Sequence, residues 1–254
     1  MNTQIQSELQ RIENEHQVRV LFAVESGSRA WGFASRDSDY DVRFIYVHER
    51  DWYLSVEDKR DVIEEPINDQ LDISGWDLRK ALKLLRKSNP PLLEWLKSPV
   101  VYKADPGFAL LFGHLAVEFA SSERLFLHYL HMAQGNAKAY LRADVVRLKK
   151  YFYVLRPLLA CLWIEQGRGP VPMEFQTLVD ELVQDPLLRL HIAVLTARKR
   201  AGEELDHAQR VPIISNFIET ELARLADIAP KNVEQPEPEK LNTFFREFCL
   251  AEAA

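Results

Sequence analysis

Residues 26–43 read SGSRAWGFASRDSDYDVR, and the reading of this stretch decides the fold. An apolar, β-branched run at 18–24 (VRVLFAV) precedes it, and a second at 42–47 (VRFIYV) follows. Both have the length and composition of strands. Gly27-Ser28 therefore ends a strand and opens a helix. A helix N-terminus offers unpaired N–H groups and the positive end of the dipole, which suit a phosphate, and glycine lets the backbone come close to it. Ten residues separate Ser28 from Asp39. Asp39 and Asp41 stand two apart at the start of the second strand, where a period of two puts both carboxylates on one face. Like charges held together resist joint ionisation, and a divalent cation relieves that cost. Carboxylate oxygens with room for phosphate oxygens describe a Mg²⁺ site. The plain alternative for 38–41 is a polar turn before a strand, where aspartate is common.

A two-metal arrangement needs a third carboxylate from a neighbouring strand. The run 71–76 (LDISGW) alternates, with Asp72, Ser74 and Trp76 on one face and Leu71 and Ile73 on the other. Asp72 is the better candidate. Asp77 is the competitor, but it stands where a helix over 78–87 needs its N-cap. Asn89-Pro90-Pro91 stops that helix, a further one carries Leu92, Leu93, Trp95 and Leu96, and 99–102 is extended. Upstream, Ile5, Leu9 and Ile12 set a helix over about 3–16. Residues 51–54 begin a further short element.

From Asp105-Pro106-Gly107 onward the periodicity is helical, over 108–134, 136–166, 172–183, 186–205, 212–228 and 241–251. Gly167-Arg168-Gly169-Pro170 is a loop, and 230–240, rich in Pro and Glu, reads as a connector. The expected fold is α+β over 1–105, a short mixed sheet flanked by helices, followed by an all-α domain over 106–254. The chain has 254 residues and a formal net charge of −6, so a general binder of nucleic-acid backbone is disfavoured unless the positive charge is local. Its two cysteines, Cys161 and Cys249, lie in apolar helical patterns and give neither a disulfide framework nor a zinc site. No leader-like or membrane-spanning run stands out, and the expected location is the cytoplasm. Nothing in the sequence bears on oligomeric state.

The spacing Gly-Ser, ten residues, Asp-x-Asp resembles the signature of the polymerase-β-type nucleotidyltransferase superfamily. The wider context, GSRAWGFASRDSDYDVRFIYV with WDLRKALKLL and NPPLLEWL, is similar to its bacterial and phage RNA-repair-associated branch. The resemblance covers residues 20–105 well and the helical half more loosely. It implies that Gly27 and Ser28 hold the triphosphate of an incoming nucleotide, ATP foremost. It implies that Asp39 and Asp41 bind both metal ions, Mg²⁺ with Mn²⁺ as a substitute, and that Asp72 binds the ion that activates the attacking hydroxyl. A nucleoside monophosphate is then transferred and pyrophosphate released. The family pattern has a lysine at Lys80, a candidate for substrate phosphate.

Other residues are read against simpler roles. Arg43 shares the face of Asp39 and Asp41 and can contact phosphate or pair with an acid. Arg29 and Arg36 bracket the loop within reach of a phosphate. Trp31 and Phe33 are candidates for base stacking or for the core. Residues 138–156 hold Lys138, Arg142, Arg147, Lys149, Lys150 and Arg156 against Asp144 alone, interleaved with Tyr140, Tyr151 and Tyr153. That stretch is either an RNA-binding surface or the solvated face of an amphipathic helix. An RNA end of tRNA type is the expected acceptor. The contrasting readings are a protein hydroxyl, as in AMP-transferring antitoxins, a small-molecule acceptor, and a catalytically silent nucleotide sensor.

Overall fold

The computed structural model describes residues 1–66, 70–203, 205, 207–228 and 236–250. The chain forms two compact units. The first begins with α1 (Asn2–His16), which buries Ile5, Leu9 and Ile12 and ends on Gln17 in the left-handed conformation. Then come β1 (Val18–Glu25), α2 (Gly27–Ala30), β2 (Tyr40–His48), α3 (Arg50–Tyr53), β3 (Val62–Glu64) and β4 (Leu71–Asp77). They are followed by α4 (Leu78–Arg86), α5 (Pro90–Trp95), β5 (Val101–Ala104) and α6 (Pro106–Phe119).

The five strands make one mixed sheet in the order β3-β4-β2-β1-β5. The β2–β4 pair is parallel and the other pairs are antiparallel. Alternation along β2 sends Val42, Phe44 and Tyr46 to a core shared with α1, and Ile45 and Val47 to a second core with α4, α5 and α6. On β4, Leu71 and Ile73 join the α1 core while Trp76 packs on the other side. Asp41, Arg43, Asp72 and Ser74 therefore share the sheet face opposite α1, at the end where β2 and β4 begin. Gly75 is required for a different reason: a Cβ there would overlap the Phe44 ring on the neighbouring strand.

The second unit contains residues 31–38, α7 (Ser122–Tyr140), β6 (Val145–Arg147), α8 (Lys150–Glu165), α9 (Phe175–Leu182), α10 (Pro186–Arg200), β7 (His207–Gln209) and α11 (Pro212–Ala226). The last helix, α12 (Glu239–Leu250), places Leu241, Phe244 and Phe248 in the core of the first unit beside α6. The units thus divide the chain differently from a single boundary after residue 105: α6 and α12 pack with the sheet, and 31–38 packs with the helices. Of the expected connector 230–240, residues 230–235 lie outside the described residues.

Two helical expectations are corrected. A helix over 108–134 is broken at Ala120, because Ser121 caps α7 by accepting from Arg124 N–H. A helix over 136–166 gives way to β6, which pairs with β7 in a two-stranded ribbon, Val146 opposite Ala208. Strands of three residues leave too short an alternation to read. Among the described residues no helix is long and apolar enough to cross a membrane.

His48 gives the fold a pH dependence. Its ring stacks on Trp52 at 3.8 Å, and burial, with Lys59 and His16 near, pushes its pKa down to about 4. The folded pKa lies below the unfolded one, so this stabilisation is present above pH ~6.5 and is lost as pH falls towards 4. We expect a loss of the order of 2 kcal/mol over that window, allowing for a partly exposed ring. Denaturant unfolding of wild type and His48→Phe at pH 7 and pH 4.5 checks it. An equal acid loss in both proteins would show that His48 is not its source.

Candidate active site

The site is built where β1 ends and β2 and β4 begin. Ser26 N–H donates to Asp41 O at 2.8 Å, the last rung of the β1–β2 ladder. The chain then turns at Gly27, whose φ of 59° is left-handed, into the single turn α2 that carries Ser28 and Arg29. A Cβ at Gly27 would overlap Asp41 Oδ2. Glycine is thus needed twice, for its φ and for the carboxylate packed against its α-carbon.

In the parallel register Asp41 lies opposite Asp72 and Arg43 opposite Ser74. The Arg43 guanidinium joins the acids: Nη2 is 2.8 Å from Asp72 Oδ2 and 3.4 Å from Asp41 Oδ1, while Nη1 donates to Asp72 O at 2.9 Å and Val42 O at 3.0 Å. Asp39 is exposed just ahead of β2. Arg29 donates from Nε to Asp39 O at 3.1 Å and lays its guanidinium 3.7 Å over the Tyr40 ring. Burial raises the Asp41 pKa above the ordinary carboxylate value; Arg43 opposes this, and Asp72 and Asp39 add to it. Asp41 therefore feels both of the other carboxylates.

Glu25 was not singled out from the sequence. It is 1% exposed, and its Oε1 accepts from Asp41 N–H at 2.9 Å while Oε2 accepts from Tyr102 O–H. Burial raises its pKa, against those two hydrogen bonds, and Asp41 raises it further. Glu25 thus fixes the peptide from which Asp41 projects. A glutamate at a strand end reads as a polar boundary, and the Tyr102 that helps bury it comes from β5.

The remaining candidates are placed elsewhere. Asp77 is fully buried as the N-cap of α4, accepting from Arg79 N–H at 2.8 Å and Tyr53 O–H at 2.5 Å. Lys80 Nζ donates to Asp61 at 2.9 Å in a half-exposed ion pair. Phe33 belongs to the core of the second unit, stacked on Phe152 at 4.7 Å with Phe175 at 5.5 Å, and Trp31 packs beside it. Arg36 is exposed in the same segment. Within 138–156, Tyr151 is buried and bonded to Ser215, and Arg156 is 2% exposed and donates to Pro172 O, so neither faces solvent.

The chain belongs to the RNA repair pathway DNA polymerase beta family, whose model matches residues 1–247. It is 54% identical over 229 residues to the uncharacterized protein YcgL of Bacillus subtilis (strain 168), covering 90% of this chain and 88% of that one. Among solved structures, a nucleotidyltransferase-like protein from Exiguobacterium sibiricum 255-15 aligns over 87% of this chain and 75% of its own. That match has 13% identity and a TM-score of 0.32.

Proposed function

We propose that this protein transfers a nucleoside monophosphate from a nucleoside triphosphate, ATP foremost, to an acceptor hydroxyl. The acceptor oxygen bonds to the α-phosphorus, the bond from that phosphorus to the β-phosphate oxygen breaks, pyrophosphate leaves, and the hydroxyl proton passes to water. The observation that carries this reading is Asp72 standing in register beside Asp41, against the Gly27 turn. Such in-line displacement needs positioning and charge neutralisation more than covalent help.

In this reading Gly27 and Ser28 receive the triphosphate, and Arg29 and Arg43 neutralise it. Asp39, Asp41 and Asp72 suit two Mg²⁺ ions, or Mn²⁺, by donor chemistry: hard carboxylate oxygens, one set held where burial and two neighbouring acids oppose its charge. The Arg43 cation already spans Asp41 and Asp72, which marks the pair as a place for positive charge. As the side chains stand, no three His, Cys, Asp or Glu groups among the described residues converge on one point. When bound, the ions would neutralise the triphosphate and make the acceptor hydroxyl easier to deprotonate. The silent-sensor reading draws on the same arginine, since Arg43 satisfies Asp72 without any metal.

An RNA end is the proposed acceptor. The family's description as an RNA repair pathway group and the exposed Arg147 and Lys149 support it. Incubation with each α-labelled triphosphate, Mg²⁺ or Mn²⁺, and total RNA or cell extract tests the reading. Label in RNA supports it; label in protein would favour the antitoxin-type alternative; no label in any fraction would overturn transfer.

Glu25 extends the reading from the acids to their support. Groups that orient metal-binding side chains typically matter 10–100-fold. Glu25→Ala is expected to lower kcat for transfer by about that factor with little change in KM, and Glu25→Gln, which keeps an acceptor for Asp41 N–H, to recover most of it. Equal rates for wild type and Glu25→Ala would remove Glu25 from the site.

A further inference from the structure

The second unit holds a groove of about 380 Å³ between α7 and α11. That is the size of a site for a small ligand. Its apolar wall includes Leu141 and Leu222, and its polar rim carries Lys138, Arg142 and Arg210 with Glu219 as the one acid. The two sides of the rim differ. Arg210 is already paired with Glu219 and donates from Nε to Ser215 Oγ at 3.3 Å. Lys138 and Arg142 are exposed and make no ion pair among the described residues. Lys138 stands in the last turn of α7 and Arg142 two residues beyond its end, and both line the groove. A groove with two uncompensated cations and an apolar wall, in a chain of net charge −6, is a local departure that favours an anion. A neighbouring cavity of about 340 Å³ in the same unit has Asp185 and Glu221 on its wall and lacks this pattern.

We propose that this groove binds a nucleotide, its phosphate on Lys138 and Arg142 and its base against Leu141 and Leu222. The nucleotide is either free or the end of a strand. Every residue lining the groove belongs to the second unit, and the three carboxylates belong to the first. It stands whether or not the protein transfers nucleotides. If the transferase reading holds, it names a place where an acceptor strand is gripped.

The test measures binding of fluorescent AMP and of a short fluorescent single-stranded oligoribonucleotide in EDTA. The protein is the Asp39→Asn/Asp41→Asn variant, which keeps metal-dependent binding in the first unit out of the measurement. Adding Lys138→Glu and Arg142→Glu is expected to weaken binding at least ~10-fold and to flatten the salt dependence by a slope of about 1.4, for two phosphate contacts to a single strand. Lys138→Gln with Arg142→Gln should weaken it less, in the same direction. Tighter AMP than oligonucleotide identifies a free nucleotide, and the reverse identifies a strand end. Unchanged affinity in both double variants, or no binding of either probe at millimolar concentration, overturns the proposal. Label transfer by wild type is read separately, so a failure of catalysis is not mistaken for a failure of the groove.

Discussion

Replacing Asp39 and Asp41 together by alanine is expected to reduce nucleotidyl transfer by ~10³-fold or more while leaving the protein folded. The two effects have different causes. In the proposed transfer the carboxylates would hold positive charge against the triphosphate, and without them the developing charge would meet nothing organised. In folding, Asp41 opposes stability, since it is held where burial, Asp72 and Asp39 all disfavour its ionised form. Removing them relieves repulsion, and Arg43 keeps its bond to Asp72. The melting temperature should therefore stay level or rise, the pattern of residues kept for function at a cost in stability. Transfer rate and thermal melting of the same preparations check this. A double variant that melts early would make the carboxylates structural, and one that transfers normally would move the reaction elsewhere.

Gly27→Ala is expected to lose both stability and activity. A left-handed φ costs a residue with a Cβ roughly 1–2 kcal/mol, and the new methyl must also displace the Asp41 carboxylate. A total of about 2–4 kcal/mol in denaturant unfolding follows, with transfer down by ~10²-fold or more because Asp41 is turned away. Gly167→Ala separates the two contributions. Gly167 has φ 64° and nothing within 4 Å of its would-be Cβ, so it takes the backbone strain without the displacement. It should lose ~1–2 kcal/mol and keep its activity. If both variants transferred equally well, the packing of Gly27 on Asp41 would carry no functional weight.

The legibility of this site varied from residue to residue. Strand alternation put Asp72 on the face away from Leu71 and Ile73, because period two survives in short buried strands, whereas its place beside Asp41 comes from the parallel register of β2 and β4. It also separated Asp72 from Asp77, which caps α4 as its position before an apolar helical run implied. Gly27 was legible as the glycine that ends β1 and opens a helix, whereas its contact with Asp41 depends on the bond from Ser26 N–H to Asp41 O, which local sequence does not show. Glu25 was hidden because its burial comes from Tyr102, 77 residues away.

The helical half was read least well. Phe33 gave no local sign of belonging there, since its partners Phe152 and Phe175 are more than a hundred residues on. The break at Ala120 was masked by apolar residues that continue the helical period through it. The basic stretch 138–156 was counted along a line, but it bends through a loop and a three-residue strand. That bend turns Tyr151 and Arg156 inward and leaves Lys138 and Arg142 on a groove.

The most direct test follows two labels of one triphosphate through wild type and Asp72→Asn, with Mg²⁺ and an RNA acceptor. Wild type should move the α-label into acceptor and release the γ-label as pyrophosphate in equal amounts, and Asp72→Asn should do neither. Release of the γ-label as inorganic phosphate with no α-label in any acceptor, or transfer undiminished in Asp72→Asn, would contradict the account.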